Sequence, residues 1–459
     1  MTHIHFIGIG GSGLSAIARL LKESGYVVTG SDQALSPFAK DLLNADVKIF
    51  IGHHPRNISG ADWVVRSSAV RDDNPEVEAA KRAGIPVYKR ADFIGQLMEK
   101  KTGIAVAGTH GKTTTTAMIA WMLFALNRDP SFIVGGTLNN MNANARAGKG
   151  DAFVIEADEY DRMFLGLKPQ IEVVTNLEHD HPDCFPKFED MYSAFESFVN
   201  LLPPDGTLIA CAEDEGAASL IAGTRRRGVS VISYSMQGEM TINSSQWMQA
   251  RAAHPNERGG FDFAAATNIG ANDPVNVSLQ VPGEHNVRNA LAALSVAAVM
   301  GLPLFEAAQS LGQFAGTGRR FEVRGEPKGV LLVDDYAHHP TEIRATLAGA
   351  RARYPERRIW AVWQPHTYSR TRTLLYEFSR AFSDADEALV TEIYASREPK
   401  QDFSSAEVVS AMPHTSARYS GSLADTKKYL LEHLRFGDVV IVLSAGDADR
   451  ITADLLKEL

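Results

Sequence analysis

Residues 107–116 read AGTHGKTTTT, at the end of the apolar run GIAVAG (103–108) and at the head of the helical pattern TTTAMIAWMLFAL (114–126). A strand, a glycine-lysine turn and a helix in that order are the parts of a phosphate loop. The spacing departs from the usual G-x-x-x-x-G-K-[ST], because Val106 stands where the leading glycine is expected. Within Gly108, Thr109, His110, Gly111, Lys112, Thr113 and Thr114, the lysine reaches terminal phosphates as a point charge. The Thr113 hydroxyl suits a magnesium ion bridging those phosphates. The plainer alternative is a helix start capped by threonines.

Working outward, the same strand-then-polar-end pattern recurs. HIHFIG (3–8), AFVIEA (152–157), IEVVTN (171–176), GVLLVDD (329–335), RIWAVWQP (358–365), EALVTEIY (387–394) and DVVIVLSAG (438–446) read as buried strands with helical patterns between many of them. Such alternation specifies α/β units with mainly parallel sheets, whose ligands bind at the carboxyl ends of strands. Polar LMEKKTG (97–103) and glycine-rich AGTGRR (315–320) mark two boundaries and divide the chain into 1–100, 101–316 and 317–459. Gly316 and Gly318 suit a hinge. The polar stretch 235–282 reads as antiparallel strands or an insertion at the edge of the middle unit.

Composition narrows the classes. A chain of 459 residues accommodates two to four domains. A net charge of −9 disfavours nonspecific binding to nucleic acid or anionic membrane. Cys184 and Cys211 make no disulfide framework, and MTHIHFIGIGG has neither the charged region nor the apolar core of a signal peptide. No apolar run approaches the roughly 20 residues of a membrane span. The expectation is a cytoplasmic protein without membrane insertion, its oligomeric state open.

The strand ends carry the chemistry. Gly8, Gly10 and Gly13 of GIGGSG, with Gly11 and Ser12 between them, fit G-x-G-x-x-G, and Asp32 ends the second strand. The motif fits a diphosphate without saying which nucleotide carries it; a tight turn is the alternative. Glu156, Asp158, Glu159 and Asp161 crowd IEADEYD, and like charges so close call for a cation or a solvated turn. Of these Glu156 best suits a magnesium ligand. In TNLEHDHPD, His179 and His181 flank Asp180 and can bind a second cation or order a carboxylate. His285, Asn286 and Asn289 open an Ala-rich helix, where Asn can read a purine edge or simply cap. Arg319 and Arg320 at the hinge can clamp a phosphate on closure. DDYAHHP (334–340) and QPHTYSRTR (364–372) group Asp335, Tyr336, His338, His366 and Arg370, which can bind a carboxylate or amine substrate.

The ordered set GIGGSG, GTHGKTT, EADEYD, TNLEHDH, GEHNVRNA, GTGRRFE, DDYAHHP and QPHTYSRTR spans nearly the whole chain and closely resembles the Mur ligases of peptidoglycan synthesis. The family's loop reads G-T-x-G-K-[ST]-[ST], which accounts for the spacing at 108–114 and implies ATP. The resemblance implies a Rossmann-like N-terminal domain, a central P-loop ATPase-like domain and a Rossmann-like C-terminal domain. It implies that the glycine loop, Asp32, Ser67, Ser68 and Ala69 hold a UDP-sugar. Lys112 would contact phosphates, with Thr113, Glu156 and His181 as Mg2+ ligands. His285, Asn286 and Asn289 would lie by the nucleotide, with Arg319, Arg320 and Asp335 facing it. Tyr336, His338, His366 and Arg370 would lie near an incoming amino acid. The branch it looks most like implies UDP-N-acetylmuramate and L-alanine as small-molecule substrates of an ATP-dependent amide-forming ligase. Thr367 and Tyr368 stand where some relatives have Arg and Phe, and SAGDAD (444–449) where GAGD is commoner. The nearest rival adds a preformed peptide to the same sugar. A dinucleotide-dependent oxidoreductase leaves the second loop without a role, and a nonenzymatic nucleotide-binding module leaves the acid- and histidine-rich strand ends without one.

Overall fold

The computed structural model describes residues 1–225, 227–236, 245–270, 273–396 and 398–459, leaving the Ser12 side chain outside the description. The described residues form three sheets of five, ten and six strands, mainly parallel, each flanked by helices. The first holds β1 (His3–Ile7), β2 (Val27–Asp32), β3 (Lys48–Ile51), β4 (Trp63–Arg66) and β5 (Val87–Lys89), in the order β3-β2-β1-β4-β5. All its pairings are parallel. The order reverses at β1, so the carboxyl ends of β1, β2 and β4 open a crevice there. β1 is covered on both faces: Ile4 and Phe6 enter one core and Ile7 packs with Val64 and Val77 in another.

The second sheet contains β6 (Thr102–Ala107), β7 (Ser131–Leu138), β8 (Ala143–Arg146), β9 (Ala152–Glu156), β10 (Ile171–Val174), β11 (Thr207–Cys211), β12 (Ser230–Ser235), β13 (Gln246–Pro255), β14 (Phe261–Thr267) and β15 (Val275–Ser278). Its order is β15-β14-β13-β12-β11-β10-β6-β9-β7-β8. The phosphate-loop strand β6 lies inside the sheet, between β10 and β9, with Ala105 and Ala107 facing one core and Ile104 and Val106 the other. Helices on both faces are why these strands read as unbroken apolar runs. The pairs β13–β14 and β14–β15 are antiparallel and form one edge, as expected for 235–282; residues 237–244 and 271–272 of that stretch lie outside the described residues. The first and second sheets share one apolar core, which runs from Phe6 and Phe93 to Phe164 and Phe198.

The third sheet holds β16 (Glu322–Gly325), β17 (Leu331–Asp335), β18 (Ile359–Trp363), β19 (Glu387–Thr391), β20 (Ala417–Gly421) and β21 (Val439–Leu443), ordered β16-β17-β21-β18-β19-β20. Only β16 runs antiparallel, and separate cores cover the two faces. The crossing from the second sheet differs in one detail from the hinge expected of Gly316 and Gly318. Gly316 has φ 84°, but the other left-handed residues are Arg319 (φ 56°) and Phe321 (φ 47°), not Gly318. The segment is also tied down, since the Gly318 N–H donates to Thr137 O at 2.8 Å and the Asn139 N–H to Gly316 O at 3.1 Å.

Candidate active site

The phosphate loop turns from β6 into the helix Lys112–Ala125 through two left-handed glycines, Gly108 (φ 137°) and Gly111 (φ 79°). Any Cβ at Gly108 would also overlap the Thr175 hydroxyl. Lys112 Nζ donates to Gly108 O at 2.5 Å, Thr109 O at 3.1 Å and Glu159 Oε1 at 2.9 Å. Burial opposes its charge, but Glu159 and then Glu156 outweigh that and push the Lys112 pKa up. The Thr113 hydroxyl donates to Glu156 Oε1 at 2.9 Å, and the Gly135 N–H to Glu156 Oε2 at 2.6 Å. His181, itself left-handed at φ 52°, places Nε2 3.6 Å from Glu159 Oε1. Glu159 is 1% exposed, and its Oε2 is buried without a hydrogen-bond partner. A hydroxyl, carboxylates with an unmet oxygen, and an imidazole suit a hard divalent cation. Asp161 points out to solvent, and His179 Nε2 bonds Phe185 O at 2.8 Å, so neither joins this group.

Beside the loop lies a cavity of about 710 Å³ between the second and third sheets. His110, Gly111 and Thr114 line one end, His285, Asn286 and Asn289 the next wall, and Arg320 and Asp335 the side of the third sheet. The two Asn amides are engaged with each other: Asn286 donates to Pro282 O at 2.7 Å and accepts from Asn289 at 3.0 Å, while Asn289 accepts from Thr115 at 3.0 Å. They brace the loop as much as they face the cavity. Burial, with Arg288 and Arg320 nearby, takes the His285 pKa down to about 4. Sequence reasoning missed Cys211, Glu213, Tyr234 and Arg288, which also line the cavity; Arg288 pairs with Glu213 at 2.6 Å. Cys211 ends β11, so the carboxyl-end rule applied to that strand would have found it.

The hinge arginines diverge. Arg320 lines the cavity, 3.5 Å from Glu342. The Arg319 guanidinium instead donates to Ser444 O at 2.7 Å and Gly446 O at 3.3 Å, against the third sheet's own last strand. Both guanidiniums flank the Tyr336 ring, at 5.1 and 5.2 Å, but Arg319 is spent on the two carbonyls while Arg320 faces the cavity. Asp335 accepts from the Phe321 N–H at 2.8 Å and the Ala337 N–H at 2.7 Å, and burial raises its pKa to about 6. Asp447 accepts from Gln364 at 2.9 Å.

Tyr336, His338, His366 and Arg370 do converge. His338 lies 5.4 Å from the Tyr336 ring and 5.9 Å from the His366 ring, and His366 Nδ1 is 3.3 Å from Arg370. Burial takes His338 to about 3 and His366 to about 4, so both are neutral. Arg370 crosses to the second sheet, where Nε and Nη2 donate to Asp180 Oδ1 at 3.0 and 2.8 Å, both residues being almost fully buried. A second crossing, missed from sequence, uses Glu342 of the helix Pro340–Arg353. His110 sits 3.4 Å from Glu342 and 3.5 Å from Glu178. Burial opposes its protonation, but the two carboxylates raise its pKa to about 9. The Thr341 hydroxyl adds a bond to Glu178 at 2.8 Å. His110, Glu178 and His339 place three ligand atoms within 4.8 Å, although a protonated His110 already offsets the charge of Glu178 without a metal.

Across the first sheet, the glycine loop, Asp32 and Ser67 meet at the crevice. Asp32 Oδ2 accepts the Gly10 N–H at 2.8 Å, and a Cβ at Gly10 would come within 2.9 Å of that oxygen. The Ser67 N–H bonds Ile7 O at 3.0 Å, while Ser68 and Ala69 are exposed at its rim.

Three family descriptions match the chain in order: "Mur ligase family, catalytic domain" over residues 3–102, "Mur ligase middle domain" over 106–297 and "Mur ligase, glutamate ligase domain" over 319–446. A UDP-N-acetylmuramate–L-alanine ligase of Rubrobacter xylanophilus is 44% identical, over 99% of this chain and all of its own length. Among solved structures, a UDP-N-acetylmuramate-alanine ligase of Thermotoga maritima superposes with a TM-score of 0.79 at 28% identity, covering 100% of this chain and 99% of that one. A murein peptide ligase of Psychrobacter arcticus superposes with a TM-score of 0.71, also at 28% identity, covering 100% and 98%.

Proposed function

The chain belongs to the Mur ligase family, and from that premise we propose that it uses ATP to join L-alanine to the carboxylate of UDP-N-acetylmuramate, giving UDP-N-acetylmuramoyl-L-alanine, ADP and phosphate. The observation that carries this reading is the link between the phosphate loop's partners and the His338–His366–Arg370 group: Arg370 bonds Asp180 at 2.8 Å and lies 3.5 Å from His181, which is 3.6 Å from the Glu159 that holds Lys112. Residues 1–100 would bind the UDP-sugar, 101–316 ATP and 317–459 the amino acid.

In the first step the sugar's carboxylate attacks the γ-phosphate and becomes an acyl phosphate; in the second the alanine amine attacks its carbonyl carbon and phosphate leaves. Two anions must meet in the first step, so positive charge at the phosphates lowers the barrier. Lys112, parked on Glu159 and two loop carbonyls, would shift to the terminal phosphates. Thr113, Glu156 and His181, with the unmet oxygen of Glu159, would hold Mg2+. When bound, that ion supplies further charge neutralisation. Arg320 faces the nucleotide cavity, and Asp335 fixes the turn that carries it. As neutral imidazoles, His338 and His366 can hydrogen-bond the amino acid without adding charge beside Arg370. Arg370–Asp180 and His110–Glu342 hold the third sheet over the cleft, which keeps water from the acyl phosphate. These features, and the absence of any helix long and apolar enough to cross a membrane among the described residues, suit work in the cytoplasm on small molecules.

The test is phosphate release from ATP with Mg2+ and UDP-N-acetylmuramate, with and without L-alanine. Release that requires both, with UDP-muramoyl-alanine by mass, is the expected result. Release with a muropeptide and not with alanine moves the assignment to the peptide-adding reading, which the Psychrobacter neighbour keeps in play.

A further inference from the structure

Glu398 lies on the connection after β19 and belongs to none of the motifs above. Its carboxylate reaches back 30 and 29 residues to the chain that follows β18. Oε2 accepts the Tyr368 N–H at 2.6 Å and the Ser369 N–H at 3.1 Å, and Oε1 accepts the Ser369 hydroxyl. Two backbone bonds tie the same connections together, from the Tyr394 N–H to Pro365 O at 2.8 Å and from the Thr367 N–H to Tyr394 O at 2.9 Å. The Tyr394 ring also lies nearly parallel to the His366 imidazole, with centroids 5.8 Å apart. The Glu398 N–H turns back to Ala395 O at 3.0 Å, a turn that holds the carboxylate beside Tyr368.

The helix Tyr368–Thr373 needs such a partner. It has six residues, short of the roughly 12 to 15 at which a helix holds itself in water, and its Tyr, Ser and two Thr are weak helix formers. Thr367 at the cap position is left-handed (φ 66°), and among the described residues its side chain makes no capping bond. The first amides of a helix have no acceptor within it. A carboxylate from elsewhere supplies that acceptor, and its charge suits the positive end of the helix. The helix matters for what it carries. Arg370 leaves it toward His366 Nδ1 at 3.3 Å and toward Asp180 of the second sheet at 2.8 Å, and His366 precedes it by two residues.

We propose that Glu398 is a positioning residue of the amino-acid site: it caps the helix Tyr368–Thr373 from the connection after β19 and so sets where His366 and Arg370 meet the incoming amino acid. The proposal rests on the substrate reading above. Both carboxylate oxygens are engaged, so Glu398 acts through the helix and not by touching the amino acid. A tilt of so short a helix moves His366 and Arg370 together, and a displacement of about 1 Å at a binding group can cost about 100-fold.

The experiment uses full-length wild type, Glu398→Ala and Glu398→Gln. It measures KM and kcat for L-alanine at saturating ATP and UDP-N-acetylmuramate, calorimetric binding of UDP-N-acetylmuramate, Tm, and amide hydrogen exchange of residues 366–373. Loss of a charged hydrogen bond should raise the KM for L-alanine about 10- to 150-fold in Glu398→Ala, with a smaller change in kcat. Binding of the UDP-sugar should stay unchanged, and residues 366–373 should exchange faster. Glu398→Gln keeps an oxygen that accepts both amides and should restore most of the KM and of the protection. An unchanged KM with lower kcat and lower Tm would make the role generally structural and overturn the proposal. Glu398→Gln as impaired as Glu398→Ala, with exchange unchanged in both, would put the carboxylate on the substrate's ammonium group and overturn it equally. Wild-type protein that releases no phosphate with L-alanine would defeat the substrate reading, and exchange then decides the cap by itself. Fast exchange in Glu398→Ala alone upholds the cap, and equal exchange in all three proteins overturns it.

Discussion

At the scale of single residues, two fully buried carboxylates have opposite fates. Glu76 accepts from Ser31 at 2.5 Å, Asn57 at 2.6 Å and the His54 N–H at 3.1 Å, with His5 at 3.3 Å. Burial works against its charge, but these donors win and take its pKa to about 2. Its stabilisation is therefore present above the unfolded-state value near about 4.3 and is lost as pH falls through about 2. Glu172 is equally buried, yet neither carboxylate oxygen has a hydrogen-bond partner, and burial raises its pKa well above the usual range. The folded state then binds the extra proton, so stability falls as pH rises above about 4.3. Glu76→Gln should lower stability by about 1.5 to 3 kcal/mol, whereas Glu172→Gln should raise it, more at about pH 8 than at about pH 5. Thermal melts at the two pH values check both signs. Lys112→Ala removes the lysine of the phosphate loop and should cut phosphate release about 100- to 1,000-fold at saturating ATP. A variant with the full wild-type rate would remove the loop from the mechanism.

At the scale of elements, the phosphate loop is coupled to the helix Pro340–Arg353 of the third sheet through His110 and Glu342. The sign of the pH effect follows from two groups. His110 is raised to about 9, so its contribution is complete below the unfolded value of about 6.5 and is lost as pH rises through about 9. Glu178 is held at about 2, so its share is present above about 4.3 and fails only as pH falls through about 2. The contact is therefore strongest between about pH 4.5 and 6.5 and loosens in alkali. Small-angle scattering should show a larger radius of gyration at about pH 10 than at about pH 6, and Glu342→Gln should blunt the difference. An unchanged radius in both proteins would dissociate this contact from closure. The left-handed His181 lies on a connection at the cleft, and its imidazole there comes within 3.6 Å of Glu159.

At the scale of the whole molecule, the sheets are joined unequally. The first and second share an apolar core, whereas the second and third meet through ion pairs around a cavity of about 710 Å³. The third can therefore move at small apolar cost. Arg370→Met takes the guanidinium from the buried Asp180 and leaves it the His181 N–H and imidazole, which costs about 3 kcal/mol of closed-state stability. Alanine-dependent phosphate release should collapse while calorimetric binding of UDP to the first sheet persists; loss of both would point to general unfolding. Much of the fold was legible because its signals are local. GIAVAG-THGKT places strand, turn and helix in consecutive residues, and strands buried on both faces announce themselves as apolar runs. The Tyr336, His338, His366 and Arg370 group was legible because dense polar residues ended two such runs. Arg319 and Arg320 look like one device in sequence, yet only Arg320 lines the cavity, while Arg319 is bound to the Ser444 and Gly446 carbonyls. Glu342 stands in none of the sequence motifs and gains its place from His110, 232 residues away. The sequence by itself determined the strands, the phosphate loop and the ordered polar strand ends, since each is written within a few neighbouring residues. Only the tertiary structure decided which charges face one another across the cleft, because electrostatic partnership depends on distance in space and on burial, and neither is encoded by proximity along the chain.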